Sequence, residues 1–326
     1  MNLKVKEKDI KNYDEIFDVK DYDKRAEGAQ SATDKFYTLI TKFYEKGWGE
    51  SFHFAPRKKR ESFHDSILRH EHYLANKLAI NSNDKVLDVG CGVMGPARNI
   101  AKLTRADITG ITINEYQIER CKELNKDTEV NHLLHPIQGD YMQMPFEDNT
   151  FDKMYAIEAL CHAPSLDGVY EQIYKKLKPG GKAFFYQWGM TDKYDPNNPR
   201  HVKSKEMIEY GNSITRLKTL AEIDEKLANS KLIVEEAVDL AAHIANDDIT
   251  WYSTLESGWS LSQIRHTKLS RTAVGLMLRT FEALGIFPKG ISKTQKLLLV
   301  AADGLVEGGK LGIFTPMYGI LVSKPK

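Results

Sequence analysis

"LDVGCGVMGP", residues 87–96, decides the fold. It closes a short β-branched and apolar run, "KVLDVG" (85–90). It leads into "GPARNIAKLTR" (95–105), whose Pro96 stands in the opening turn of a helix, where a missing N–H costs little. Gly90, Gly92 and Gly95 have the spacing of a strand-to-helix loop through which backbone N–H groups face a ligand. The rhythm continues outward. "ADITGITIN" (106–114) reads as a strand, "EYQIERCKELNKD" (115–127) as a helix, and "HPIQGD" (135–140) and "FDKMYAIEAL" (151–160) as strands. "LDGVYEQIYKKLKPGG" (166–181) reads as a helix with Val169, Ile173 and Leu177 on one face, stopped by Pro179-Gly180-Gly181, and "KAFFYQW" (182–188) is a fifth strand. This alternation predicts an α/β architecture with a parallel, doubly wound sheet.

The flanks differ. "TDKFYTLITKFYEKGWG" (33–49) carries Phe36, Leu39, Ile40 and Phe43 at helical spacing, and Gly47-Trp48-Gly49 stops it. A second helix follows, with Ile67, Leu68, Leu74 and Leu78. Beyond the turn-rich "MTDKYDPNNPRH" (190–201), "LAEIDEKLANS" (220–230) is helical and "KLIVEEAVDL" (231–240) strand-like. Residues 250–310 read mainly as helix, and "GIFTPMYGILVSKPK" (312–326) as a final strand. If these are the last two strands, about 70 residues lie between them, where a hairpin would need only a few. Three stretches result: an N-terminal helical and aromatic segment (1–80), a nucleotide-binding domain (81–245) and a C-terminal region with the last strand (246–326).

Composition excludes several classes. Among 326 residues, Lys+Arg (46) balance Asp+Glu (45), so no global field attracts nucleic acid. Three cysteines form no CxxC pair and suit a reducing compartment. No apolar run approaches the roughly 20 residues needed to span a bilayer. "MNLKVKEKDIKNYDE" is charged throughout, unlike a secretory signal. A soluble, cytoplasmic protein is expected, with surface contact to a membrane left open.

The glycine loop could take NAD or S-adenosylmethionine. Three features favour the latter. Asp88 stands two residues before Gly90, where dinucleotide loops are usually apolar and methyltransferase loops acidic. A dinucleotide site expects an acid at the second strand's tip, about 20 residues on. The tip here is Thr112-Ile113-Asn114, followed by Glu115, with Gln117 in the next helical turn. Gly139-Asp140 follows the third strand, where a carboxylate can accept the adenine amino group. Cofactor-binding candidates are thus Asp88, Gly90, Gly92, Gly95, Thr112, Asn114, Gln117, Gly139 and Asp140, together with Glu158 after the fourth strand.

"YEKGWGESFHF" (44–54), "LDVGCGVMGPARNIA" (87–101), "YAIEALCHAP" (155–164), "LKPGG" (177–181) and "YQWGMTDKYDPNNP" (186–199) together resemble the sterol C-methyltransferases, from about residue 30 to the end. The resemblance implies a class I methyltransferase fold and methyl transfer from S-adenosylmethionine to a sterol carbon. Side-chain carbon 24 is expected; carbon 4 of the A ring, as in a nematode branch, stands beside it. The chain departs from the family at Met94, where glycine is usual and where a larger side chain would narrow the loop. It departs again at Gln187, where a Tyr-Glu-Trp motif usually has glutamate. Another acceptor (a phosphobase or a fatty acyl alkene) and a non-catalytic sterol carrier are the alternative readings.

Methyl transfer to an alkene leaves a carbocation, which aromatic faces and carboxylates stabilise before a base removes a proton. Glu158 and His162 are candidates for these roles, since a spacing of four puts them on one side of a helical turn. Tyr44 and Asp192 are further catalytic candidates. Trp48, Phe52, His53, Phe54 and Tyr194 are expected at the substrate, with Met277 and Phe281 from the apolar stripe Leu276–Leu284 as its cover. With Lys268, Arg271 and Arg279 beside it, that stripe could rest on a membrane such as the endoplasmic reticulum. "RHEHY" (69–73) lacks a third ligand for a metal, so a cap or interface role is expected and no metal. Partners are the sterol and, as an open option, further copies of the chain.

Overall fold

The computed structural model describes residues 7–242, 248–256, 268–284 and 291–326. Its centre is a seven-stranded sheet: β1 (Lys85–Val89), β2 (Asp107–Thr112), β3 (Leu134–Gln138), β4 (Phe151–Ile157), β5 (Leu177–Met190), β6 (Ile233–Asp239) and β7 (Phe314–Ser323), ordered β3-β2-β1-β4-β5-β7-β6. β3 through β5 pair in parallel, with Asp88 level with Gly110 on one side and Tyr155 on the other. The five strands expected to be parallel are so, and at the far edge the sheet is mixed. β7 runs antiparallel to β6, starting beside the end of β6 as the second arm of a hairpin does, with Asp239 opposite Tyr318. β5 also starts before Lys182. It includes Pro179-Gly180-Gly181, and its pairing register with β4 shifts between Phe151 and Lys153.

The helices are α1 (Glu7–Asp18), α2 (Tyr22–Glu27), α3 (Ala29–Gly47), α4 (Phe63–Lys77), α5 (Gly95–Thr104), α6 (Glu115–Asn125), α7 (Leu166–Lys176), α8 (Pro199–Gly211), α9 (Leu220–Ala228), α10 (Lys268–Ala283) and α11 (Ile291–Leu311). Local chemistry sets several starts. Ser165 accepts from the Gly168 N–H, and Thr219 and Glu222 form a reciprocal capping box. The central strands are buried on both faces and so read as near-continuous apolar runs. On one face Phe185 and Ile320 pack with Val169, Ile173, Ile223 and Leu227. On the other, Phe184 and Tyr186 pack with Leu74, Leu78, Ile100 and Tyr155.

The chain divides into two interleaved units. The sheet unit takes residues 41–192, 218–251 and 315–326. The helical unit takes the described residues of 1–40, 193–217 and 252–314. In the latter, α8 packs along α11, and α10 against α11. Its core includes Phe36 and Ile40, whereas the side chains of Leu39 and Phe43 lie outside the described set. Among the described residues, no helix is long and apolar enough to cross a membrane.

Candidate active site

The carboxyl ends of the parallel strands β1 to β5 share one edge of the sheet, where the glycine loop follows β1. Gly90 has φ +81°, and a Cβ there would lie 2.4 Å from Cβ of Ala159. The N–H groups of Gly90 and Cys91 both donate to the Ile111 carbonyl, folding the loop onto β2. Gly95 opens α5 so close to the preceding segment that a Cβ would meet the Glu50 carbonyl at 2.1 Å. The N-cap of α5 is Met94, whose side chain makes no capping bond to the N–H groups of the first turn. Met94 itself has φ +60°. Its side chain does not narrow the loop as expected. It is fully buried in the core with Cys91, Ala97 and Cys121, because the left-handed backbone turns it inward.

The neighbouring strand tips supply polar groups. Thr112 Oγ1 donates to Gln117 Oε1 at 2.7 Å, and Asn114 caps α6 by accepting from the Gln117 N–H. Asp140 is half-buried and accepts from the Met142 N–H at 2.8 Å, just after Gly139 bonds back to Thr112. Asp88 is buried beneath the loop. Burial pushes its carboxyl up to about 8, against the pull of the neighbouring Tyr155 hydroxyl and of His53.

The aromatic segment lies over this edge. α3 ends where the N–H groups of Trp48 and Gly49 both return to the Tyr44 carbonyl. The ring of Phe52 covers Gly92, 3.7 Å from where a Cβ would stand, and meets Tyr44 edge-on at 5.4 Å. Trp48 Nε1 donates to the His53 carbonyl at 2.9 Å. Phe54 is ringed by Trp48, Trp188 and Trp251 at 5.1, 6.0 and 5.0 Å between centroids. Its N–H donates to Glu158 Oε1 at 2.7 Å, and Trp188 Nε1 donates to Oε2 at 2.8 Å. Burial lifts the Glu158 carboxyl to about 8, against the charge of His53 and these two donors. Burial and the Glu158 charge together raise the pKa of the Tyr44 hydroxyl.

Glu158 and His162 do not share the face of a helical turn. Glu158 has φ +55°, which breaks any helix there and turns its carboxylate back to the aromatic segment. His162 is buried at the end of the 3-10 turn Leu160–His162 that follows. Two side chains of "RHEHY" enter the core, His70 and Glu71. Glu71 is fully buried; it accepts from Ser51 Oγ at 2.7 Å, His53 Nε2 at 3.1 Å and Asn99 Nδ2 at 2.8 Å. His70 stacks on Tyr186 at 3.8 Å, and burial holds its pKa well below the ordinary value. Gln187 is buried, and among the described residues its Oε1 has no hydrogen-bond partner.

The structure thus gathers Tyr44, Trp48, Phe52, His53, Phe54, Asp88 and Glu158 around the loop. Asp192 is exposed just past β5. Tyr194, Met277 and Phe281 belong to the helical unit, where Tyr194 stacks over His201 and Met277 is 44% exposed. Sequence reasoning missed Glu71, Trp188 and Trp251. Trp188 had a signal, two residues past Tyr186 at the carboxyl end of an apolar strand; Trp251 had none. Among the described residues, no group of three or more His, Cys, Asp or Glu side chains is placed to hold a metal.

The donor set fits S-adenosylmethionine. Gly90 and Gly95 have no room for a side chain because Ala159 and Glu50 pack against them, so the loop presents bare backbone, and the N-cap of α5 makes no side-chain bond. Asp88 and Glu158 are buried carboxyls whose ionisation a cationic ligand favours, whereas the pyrophosphate of a dinucleotide would oppose it.

Residues 87–185 match the family described as "Methyltransferase domain", and residues 261–326 that described as "Sterol methyltransferase C-terminal". The chain is 47% identical over 292 residues to cycloartenol-C-24-methyltransferase 1 of Oryza sativa subsp. japonica, covering 89% of this chain and 84% of that one. It is 44% identical over 328 residues to the sterol 24-C-methyltransferase of Saccharomyces cerevisiae, covering 98% and 85%. Among solved structures, a geranyl diphosphate C-methyltransferase from Streptomyces coelicolor aligns with TM-score 0.62 at 13% identity, over 91% of this chain and 98% of that one. That likeness bears on the fold alone.

Proposed function

The chain belongs to the sterol methyltransferase family, and from that membership we propose that it transfers a methyl group from S-adenosylmethionine to side-chain carbon 24 of a sterol. The structural observation that supports the reading is the contact of Phe52 with the glycine loop, a ring carbon standing 3.7 Å from where a Cβ on Gly92 would lie. It sets an apolar aromatic wall against the loop that holds the cofactor. When bound, the cofactor supplies an electrophilic methyl on a cationic sulfur. The chain's part is to hold and exclude. The glycine loop and α5 would grip the nucleoside, beside Thr112 and Gln117, whose hydroxyl and amide oxygen bond each other. Tyr44 and Phe52 present π faces to developing positive charge, each worth about 0.5–2 kcal/mol when water is excluded. Glu158 adds a buried carboxyl nearby, restrained by its two N–H donors.

Incubation of the purified protein with methyl-labelled S-adenosylmethionine and a panel of sterols tests this. Label at carbon 24 of sterols with a side-chain double bond is expected, and none on their saturated counterparts. Label in the A ring, or transfer to phosphoethanolamine alone, would replace the reading.

Membrane contact is part of the proposal. Leu276, Met277 and Leu284 are 67%, 44% and 66% exposed, and Arg279 beside them is exposed too. An apolar stripe edged with positive charge suits an anionic bilayer surface, from which an insoluble substrate is collected. Co-sedimentation with anionic vesicles is expected, weakened by Leu276→Asp. Equal binding by that variant would remove α10 from the contact.

A further inference from the structure

Glu71 accepts bonds from three directions. Ser51 and His53 come from the aromatic segment, Asn99 comes from the helix that opens on the glycine loop, and Glu71 itself stands on α4. The His53 ring lies between two acceptors, Nε2 facing Glu71 Oε1 at 3.1 Å and Nδ1 facing the Phe54 carbonyl at 2.9 Å. A ring whose two nitrogens both face acceptors carries two protons. We infer that Glu71 is a positioning residue for methyl transfer: by holding His53 as a buried imidazolium it clamps segment 48–54 against the cofactor helix and the strand ends.

The link onward is short. His53 bonds the Phe54 carbonyl, and the Phe54 N–H bonds Glu158, so a shift of the imidazole moves both the cage around Phe54 and the carboxylate. The ring Phe52, which covers Gly92, lies between the two residues that Glu71 holds, Ser51 and His53. The titratable groups facing His53 are Glu71 and His70 from α4, Glu158 after β4, and Asp88 on β1. Burial works against the His53 charge, but Glu71 leads the groups that outweigh it, and the pKa of the ring is raised. A buried pair of this kind is weak evidence for stability, and fixing one arrangement is its better-attested use. Displacing a reacting group by about 1 Å can cost about 100-fold in rate.

The inference rests on the methyl-transfer reading, and its test keeps the two apart. Glu71→Gln retains a side chain that can donate to a neutral His53 Nε2 and accept from Asn99, so it removes the charge and keeps the shape. In this variant kcat is expected to fall about 10- to 100-fold, with cofactor affinity unchanged. The alkaline limb of the kcat profile is expected to move to lower pH, because His53 then loses its proton more easily. Glu71→Asp should restore part of the rate and return the limb. The imidazole nitrogen NMR shifts of His53 read the same change without any sterol: doubly protonated at neutral pH in the unaltered protein, singly protonated in Glu71→Gln. A neutral His53 in the unaltered protein overturns the inference, as does a Glu71→Gln profile superimposable on the original. Equal loss of cofactor affinity and kcat also overturns it, since Glu71 would then serve the loop alone. If Glu71→Gln does not fold, His53→Gln carries the same expectations for kcat and cofactor affinity, with its alkaline limb abolished rather than moved. If the unaltered protein methylates no sterol, the functional reading falls, and the NMR arm still decides the state of the clamp.

Discussion

The backbone N–H of Phe54 donates to Oε1 of Glu158 at 2.7 Å across 104 residues of chain, and the indole of Trp188 occupies the other oxygen. This carboxylate therefore joins the aromatic segment to two strand ends. Above about pH 8, where Glu158 is ionised and both of its oxygens accept, Glu158→Gln turns one of them into an N–H donor that faces an existing donor. A buried donor left without an acceptor costs about 1–3 kcal/mol. Loss of stability in that range is expected in urea denaturation at unchanged m-value, together with reduced sterol turnover. A stability equal to that of the unaltered protein would show that the carboxylate is dispensable as an anchor.

Asp88 and Glu158 hold their protons to about pH 8 in the folded protein. In the unfolded chain they lose them near pH 4. Between these limits the unfolded state has already ionised and the folded state has not, so rising pH favours unfolding. His53 acts in the same direction, since its raised pKa gives stability that disappears as pH rises through the folded value. The cofactor-free protein is therefore expected to lose stability steadily from about pH 5 to about pH 8. Asp88→Asn should flatten the slope. Melting temperatures across this range provide the check, and a rising trend would contradict it.

Gly90→Ala places a methyl 2.4 Å from Cβ of Ala159 and gives a β-carbon a φ of +81°. The left-handed conformation costs roughly 1–2 kcal/mol, and the clash adds to it. Cofactor affinity, measured by calorimetry, is expected to fall strongly in a protein that remains folded. Adding Ala159→Gly should recover the clash component and not the conformational one, so the double variant should lie between the two. No recovery would mean that the contact with Ala159 is not what excludes a side chain.

Met94 holds a left-handed backbone where glycine would be relaxed. Two magnitudes compete in Met94→Gly. Relief of the backbone gains roughly 1–2 kcal/mol. Deleting a fully buried methionine costs about 2–5 kcal/mol. Net destabilisation of about 2 kcal/mol, within about 0–4, is expected by denaturant titration. A more stable glycine variant would mean that the side chain packs less well than its burial implies.

Much of the sheet unit is legible in the chain because its signals are local. An apolar run, three glycines and a helix opening on Pro96 lie within twenty residues of one another, and the structure repeats them in order as β1, loop and α5. The sheet edge is less so. Nothing within β6 or β7 states that they pair antiparallel, since that depends on how the long insertion returns. In the site, Asp88 and the aromatic segment were visible as residue types in context. Glu71 was not: its partners Ser51 and Asn99 lie 20 and 28 residues away, and only the fold brings them to one carboxylate. The expected shared face of Glu158 and His162 fails for a related reason. A spacing of four assumes a helix, and one positive φ turned the side chain elsewhere.

The sheet order has a consequence for synthesis. Among the described residues, β6 pairs its backbone with the sheet through β7, which sits between it and β5. On the ribosome, β6 emerges about 75 residues before the strand it needs, and it must wait as an unpaired edge until β7 arrives. A nascent chain halted anywhere in that interval carries an exposed ribbon open to foreign strands. Shortening the C-terminus by one strand therefore removes two from the finished molecule.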